Sequence, residues 1–271
     1  MRYLIILYVF AFATCQSKSE EAKLRETIEG DWLVLLADHH LENEDQRQIY
    51  GKIQDSVIEA KCLKLIRFYK DGSFQQVDYP EEKGKWAISP DLEFFMGSGG
   101  RGFNDFKSNY LSYQDKELRL RENLKTDGET IKLDWYFKKL TNGLLLDASR
   151  NSWRKKPSGP ESDKDLRIRL GWMLDYYSRY FELVADESSF FIGKRVMLPL
   201  KYYQHAMSTL PYDPESDFAK LWYNPAQAEQ AYGYLKSTVY KLGNKYPSDK
   251  NYVLEYSRYL RQVGMAIQHM E

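Results

Sequence analysis

The chain has 271 residues, 43% hydrophobic, 15% aromatic and 29% charged, which is long enough for two ordinary domains and apolar enough for a packed core, so a disordered chain is disfavoured. Lysine plus arginine and aspartate plus glutamate each total 39. No net field draws the protein to nucleic acid, and a nucleic-acid partner is not expected.

Met1-Arg2 supplies one positive charge, and Tyr3 to Ala13 is an almost unbroken apolar run. Its length suits the core of a signal peptide and falls short of the ~20 apolar residues that span a bilayer as a helix. Phe12-Ala13-Thr14-Cys15 follows, and then the polar stretch Gln16 to Glu21. This order resembles the lipobox of bacterial lipoproteins, with Phe12 where that family usually has leucine. The resemblance implies a signal peptide over residues 1–14, lipidation of Cys15, a tether over 15–27, a membrane anchored through the lipid, and an outer-membrane location facing the periplasm or the cell surface. Ser19-Glu20-Glu21 resembles the acidic tags of surface-directed lipoproteins. The competing reading makes Tyr3 to Phe12 a buried strand or an uncleaved anchor. With Cys15 lipidated, Cys62 has no disulfide partner and is expected to be a small apolar core residue within a strand.

Leu24 to Ile28 can form a short helix, after which the period becomes two. Eight strands are expected: Trp32 to Leu36, Cys62 to Tyr69, Ser73 to Asp78, Lys85 to Ile88, Leu92 to Met96, Asn109 to Tyr113, Glu117 to Arg121 and Thr130 to Leu140. Asp71-Gly72, Ser89-Pro90-Asp91, Gln114-Asp115-Lys116 and Asp127-Gly128 supply the turn chemistry between them. Short hairpins in sequence predict an up-and-down sheet. Closure into a barrel would remove its exposed edges, and a sandwich is the alternative. Glu44 to Ala60 has helical composition, with Ile49, Ile53 and Val57 four apart; it serves equally as a lid over a barrel mouth or as a helix on its wall.

Ile28-Glu29-Gly30-Asp31-Trp32 carries a Gly-x-Trp signature at the first strand, and Gly84-Lys85-Trp86 and Trp135 to Leu140 follow in order. Together these resemble bacterial lipocalin-like lipoproteins over residues 28 to 140. The resemblance implies an eight-stranded antiparallel lipocalin-like barrel, here residues 28–150, with Gly30 and Trp32 at its closed end and a basic side chain, Arg150 or Arg154, over the tryptophan. Phe68, Phe74, Trp86, Phe94, Trp135 and Phe137 either line a ligand cavity or fill the interior, since a barrel of this size is wide enough for only one of the two.

Trp153 to Pro160 is rich in basic residues, proline and glycine, and marks a linker over 151–160. Beyond it the period becomes 3.6, predicting an all-helical bundle over 161–271. Helices are expected from a cap at Ser162 or Asp163, from Pro199 to Met207, from Asp213 or Pro214 to Trp222, from Pro225 to Leu242 and from Asn251 to Met270. The bundle is rich in tyrosine, which suits packing within the bundle and, as a second use, a partner surface.

No catalytic set emerges. His39-His40 would point to opposite faces of a strand, so no metal site is expected. Gly97 to Gly102 satisfies G-x-G-x-x-G without a surrounding βαβ unit and reads as a loop. No cofactor is implied. The composite expectation is a non-catalytic envelope lipoprotein that binds an envelope protein or glycan. A carrier of a small apolar ligand is the alternative, and a carboxylate-based hydrolase the distant one.

Overall fold

A computed structural model describes residues 20–76, 82–97, 106–140, 152–185, 198–200, 209–243 and 252–270. The chain divides into two compact units at Leu140/Thr141.

In the first unit a helix, α1 (Glu20–Ile28), leads into β1 (Gly30–His40), and α2 (Glu44–Lys61) separates β1 from β2 (Leu65–Phe68). β3 (Ser73–Gln76), β4 (Glu82–Ile88), β5 (Glu93–Gly97), β6 (Phe106–Gln114), β7 (Glu117–Thr126) and β8 (Glu129–Lys139) complete it. Each strand pairs antiparallel with its sequence neighbour, and β1 also pairs with β8, so the sheet is a closed eight-stranded barrel. Closure leaves no edge strand to recruit another chain.

Local chemistry makes the turns. Asp127 and Gly128 adopt φ of 49° and 81°, and Asp115 and Lys116 φ of 53° and 68°, the positive pairs that match the twist of a two-residue hairpin. At the β2–β3 turn, Asp71 Oδ1 accepts from the Ser73 N–H and hydroxyl. Gly84 is needed where the barrel interior crowds β4: a Cβ there would stand 2.2 Å from the Gly97 carbonyl oxygen and 2.5 Å from the Phe74 ring.

Cys62 is a correction to the sequence reading. It sits after the last residue of α2 rather than in a strand, but it is buried as expected. Leu63, with φ of 60°, turns the chain, and its N–H donates to the Val34 carbonyl at 2.6 Å before β2 begins.

The second unit holds α3 (Asp163–Leu183), α4 (Asp217–Lys220), α5 (Pro225–Leu242) and α6 (Tyr252–Gln268). Ser162 caps α3 by accepting from the Asp165 N–H, Ser216 caps α4, and Asn224 caps α5 with Pro225 in its first turn. α4 therefore starts later than the Asp213 or Pro214 expected from sequence. The helix expected from Pro199 to Met207 falls mostly outside the described residues, and Leu200 forms an isolated bridge with Thr209. The bundle core is aromatic: Tyr176, Tyr177, Tyr180, Phe181, Tyr256 and Tyr259 are all buried.

The expected linker requires a second correction. Ser152–Arg154 is a turn of 3-10 helix, and Trp153 is buried against Tyr176 with ring centroids 5.4 Å apart. Arg169 Nη2 lies 2.6 Å from the Trp153 carbonyl, 2.8 Å from that of Lys155 and 2.7 Å from that of Leu221. Its Nη1 donates to Glu161 at 3.1 Å. One buried guanidinium thus ties this segment into the bundle. Burial pulls its pKa below the ordinary value, and the Glu161 carboxylate opposes that shift.

Candidate functional site

Three places in the two units concentrate unusual side chains: the barrel interior, its two ends, and a groove between α3 and α6.

Alternation along β8 turns Ile131, Leu133, Trp135 and Phe137 inward, and their β7 partners Leu124, Glu122, Leu120 and Leu118 turn the same way. All six proposed lining residues, Phe68, Phe74, Trp86, Phe94, Trp135 and Phe137, are buried. Five of them touch one another. Phe68 meets Trp86 at 5.6 Å, Phe94 at 5.7 Å and Phe74 at 6.3 Å between centroids, and Phe94 meets Phe137 at 6.4 Å. Several of these contacts are edge-to-face, the arrangement ring quadrupoles favour. These aromatics pack against each other within the barrel. Each buried ring contributes about 1.5–3 kcal/mol of transfer free energy.

At one end, Trp32 is buried and its indole N–H donates to the Ile28 carbonyl at 2.7 Å, which fixes α1 across that end. The cation over its ring is Lys139, with Nζ 5.3 Å from the centroid and donating to the Thr27 carbonyl at 2.7 Å. Of the two arginines expected there, Arg150 or Arg154, the second is found elsewhere. Arg154 lies over Trp153 and Tyr176 in the second unit, and Arg150 lies outside the described residues. Gly30 leaves room for this lysine: its φ is +125°, and a Cβ there would stand 3.3 Å from Lys139 Cε. Burial lowers the Lys139 pKa, with Glu29 and Asp31 opposing. The parity of β8 signals this lysine in the sequence, because residue 139 falls in the inward set with 131, 133, 135 and 137.

At the other end, α2 meets the mouth. Gln46 donates to the Thr130 carbonyl at 3.1 Å at the start of β8. At the far end of the same helix, Lys61 enters the interior, 9% exposed, and donates to Glu122 Oε1 at 2.5 Å. Glu122, 7% exposed, accepts from the Trp135 indole N–H on its other oxygen at 2.9 Å. The Lys61 ammonium also sits 5.1 Å from the Phe106 ring centroid and 5.6 Å from that of Trp135. Ser108, the β6 register partner of Glu122, is buried beside them. Of the two sequence readings of α2, this geometry favours the lid.

His39 and His40 diverge on β1, as alternation requires. His39 stacks on Tyr50 at 4.6 Å, while His40 Nε2 lies 2.9 Å from Asp134, which is also held by Arg121 at 2.7 Å. The Arg121 hydrogen bond is the main cause of a lowered Asp134 pKa. Among the described residues no group of histidine, cysteine or carboxylate side chains is arranged to hold a metal ion. Cys15, His205 and the stretch Ser98 to Gly102 lie outside the described residues.

In the helical unit, Gly171, Trp172, Asp175, Arg261, Gly264, Met265 and Gln268 line a groove of about 340 Å³ between α3 and α6. The sequence pattern does not reveal it, because its residues lie off the apolar stripe of each helix.

Comparison with protein families, with curated proteins and with solved structures finds no match to this chain in any of the three.

Proposed function

We propose that the protein is a membrane-anchored envelope lipoprotein whose barrel and bundle act as a non-catalytic binding module at the outer membrane. The anchor rests on the order of a positive charge, an apolar run, Ala13, Cys15 and a polar tether. The observation that carries the binding-module reading is the mutual packing of Phe68, Phe74, Trp86, Phe94 and Phe137 inside the barrel. A barrel filled by its own side chains offers its outer surfaces for recognition, whereas a carrier needs an internal cavity of a few hundred Å³.

Expression in a gram-negative host with an alkyne-tagged fatty acid tests the anchor. The parent chain incorporates the label and fractionates with membranes, and Cys15→Ser does neither; an unlabelled parent refutes the anchor. Cross-linking and pull-down from envelope extracts test the module, with a specific partner expected for the parent. A fluorescent fatty-acid analogue separates the carrier reading: saturable binding displaced by Phe94→Trp would revive it.

A further inference from the structure

Trp172 and Met265 are two of the large apolar side chains that the core of the helical unit leaves exposed. Trp172 on α3 is 41% exposed and Met265 on α6 is 51% exposed, although Gly171, Met173 and Gly264 beside them are buried. They come from helices far apart in sequence, yet both line the same groove of about 340 Å³, a volume within the range of small-ligand sites.

The groove exists because two glycines let the helices approach closely. A Cβ on Gly264 would stand 3.2 Å from Leu174 Cβ and 3.4 Å from the Gly171 carbonyl oxygen. A Cβ on Gly171 would fall 2.3 Å from Gln268 Nε2, so the Gln268 amide lies directly across the Gly171 backbone. The indole and thioether flank this floor, and Asp175, Arg261 and Gln268 supply the polar lining.

Charge decides what fits. Asp175 already pairs with Arg179 at 2.8 Å, and Arg261 with Glu182 at 2.8 Å. The lining offers hydrogen-bond donors and acceptors of both kinds beside an aromatic face, with its charges balanced inside the chain. An anion or cation would have to displace one of those partners. A purely apolar chain would desolvate Asp175, Arg261 and Gln268 without replacing their water. A sugar ring meets both demands: one face presents C–H groups to the indole, and its hydroxyls donate and accept at once.

We propose that this groove binds a neutral oligosaccharide, with Trp172 as the stacking platform and Asp175, Arg261 and Gln268 as hydroxyl partners. The assignment rests on reading the chain as a binding module, and names the ligand class of that module.

The test is titration of the full mature chain with N,N′-diacetylchitobiose, cellobiose, maltose and lactose, followed by saturation-transfer NMR and calorimetry, with dodecanoate as the apolar control. At least one disaccharide binds saturably. Trp172→Ala weakens that binding at least about tenfold, with far-ultraviolet circular dichroism showing the helices intact, and Trp172→Phe keeps part of it. Tyr240→Ala, on a side chain 88% exposed and outside the groove, leaves it unchanged. Absence of binding by all four sugars, parental affinity in Trp172→Ala, or binding of dodecanoate alone overturns the proposal. Recovery of an envelope protein in the pull-down with no sugar binding would sink the groove assignment and leave the binding module standing; failure of both would sink both.

Discussion

Glu122→Gln isolates the buried charge at the barrel mouth. The Glu122 carboxylate has two acceptor oxygens and serves two buried donors, the Lys61 ammonium at 2.5 Å and the Trp135 indole N–H at 2.9 Å. An amide of the same size has one acceptor, so one donor is left facing an NH2 group. If the ammonium is the loser, a buried charge stands uncompensated, at a cost of about 3–5 kcal/mol. If the indole is, the cost is an unsatisfied neutral donor, about 1–3 kcal/mol, plus the lost attraction between full charges. Both residues are at least nine-tenths buried, so solvent screening removes little of this. The expected loss is about 3–5 kcal/mol, a fall of roughly 10–15 °C in the melting temperature of the barrel transition. Scanning calorimetry reads it, and amide exchange in β7 and β8 assigns it to the barrel. The double variant Lys61→Met with Glu122→Gln removes the stranded charge and lets the glutamine oxygen accept from Trp135, so it should recover most of the loss. A single variant costing under about 1 kcal/mol, or a double variant whose cost is the sum of the two singles, would refute the coupling.

Three further perturbations probe other parts of the two units. Arg169→Met strips the donor from the carbonyls of Trp153, Lys155 and Leu221 and leaves Glu161 without its cation, costing about 3–5 kcal/mol; limited trypsin digestion should then cut after Arg154 and Lys155, and unchanged resistance counts against the tie. Gly84→Ala drives a methyl into the Gly97 carbonyl and the Phe74 ring, and a barrel destabilised by less than about 1 kcal/mol in urea would contradict that packing. Asp134 has a folded pKa depressed chiefly by its hydrogen bond from Arg121. Its stabilising contribution, about 1 kcal/mol after screening by solvent, is complete above the unfolded carboxyl value of about 3.9 and is lost as pH falls through the lower folded value. Asp134→Asn should therefore flatten the acid limb of the melting temperature against pH and lower the plateau above it; an unchanged acid limb would remove Asp134 from the account.

Several elements were legible in the residues alone because their causes are local. A period of two, broken by Asp-Gly and Asp-Lys turns that tolerate positive φ, fixes hairpins without any knowledge of distant neighbours, and eight strands in such an order leave closure as the way to remove both edges. The change to a 3.6 period after residue 160, with Ser162 and Asn224-Pro225 as caps, marks the helices for the same reason. The order of residues around Cys15 is likewise local information, and it carries the anchor proposal. Tertiary structure alone decided which side chains meet. The seating of α2 on the barrel set Lys61 against Glu122, 61 residues away, and the pairing of β1 with β8 brought Lys139 over Trp32. Helix packing drew Trp153 out of an apparent linker, because a buried guanidinium needed the carbonyls of that segment. It also set Trp172 beside Met265, because the glycine contacts that bring α3 and α6 together lie on two separate stretches of chain. Such pairings depend on register, tilt and close approach between elements, and apart from the inward parity of Lys139 on β8 they leave no trace in spacing along the chain.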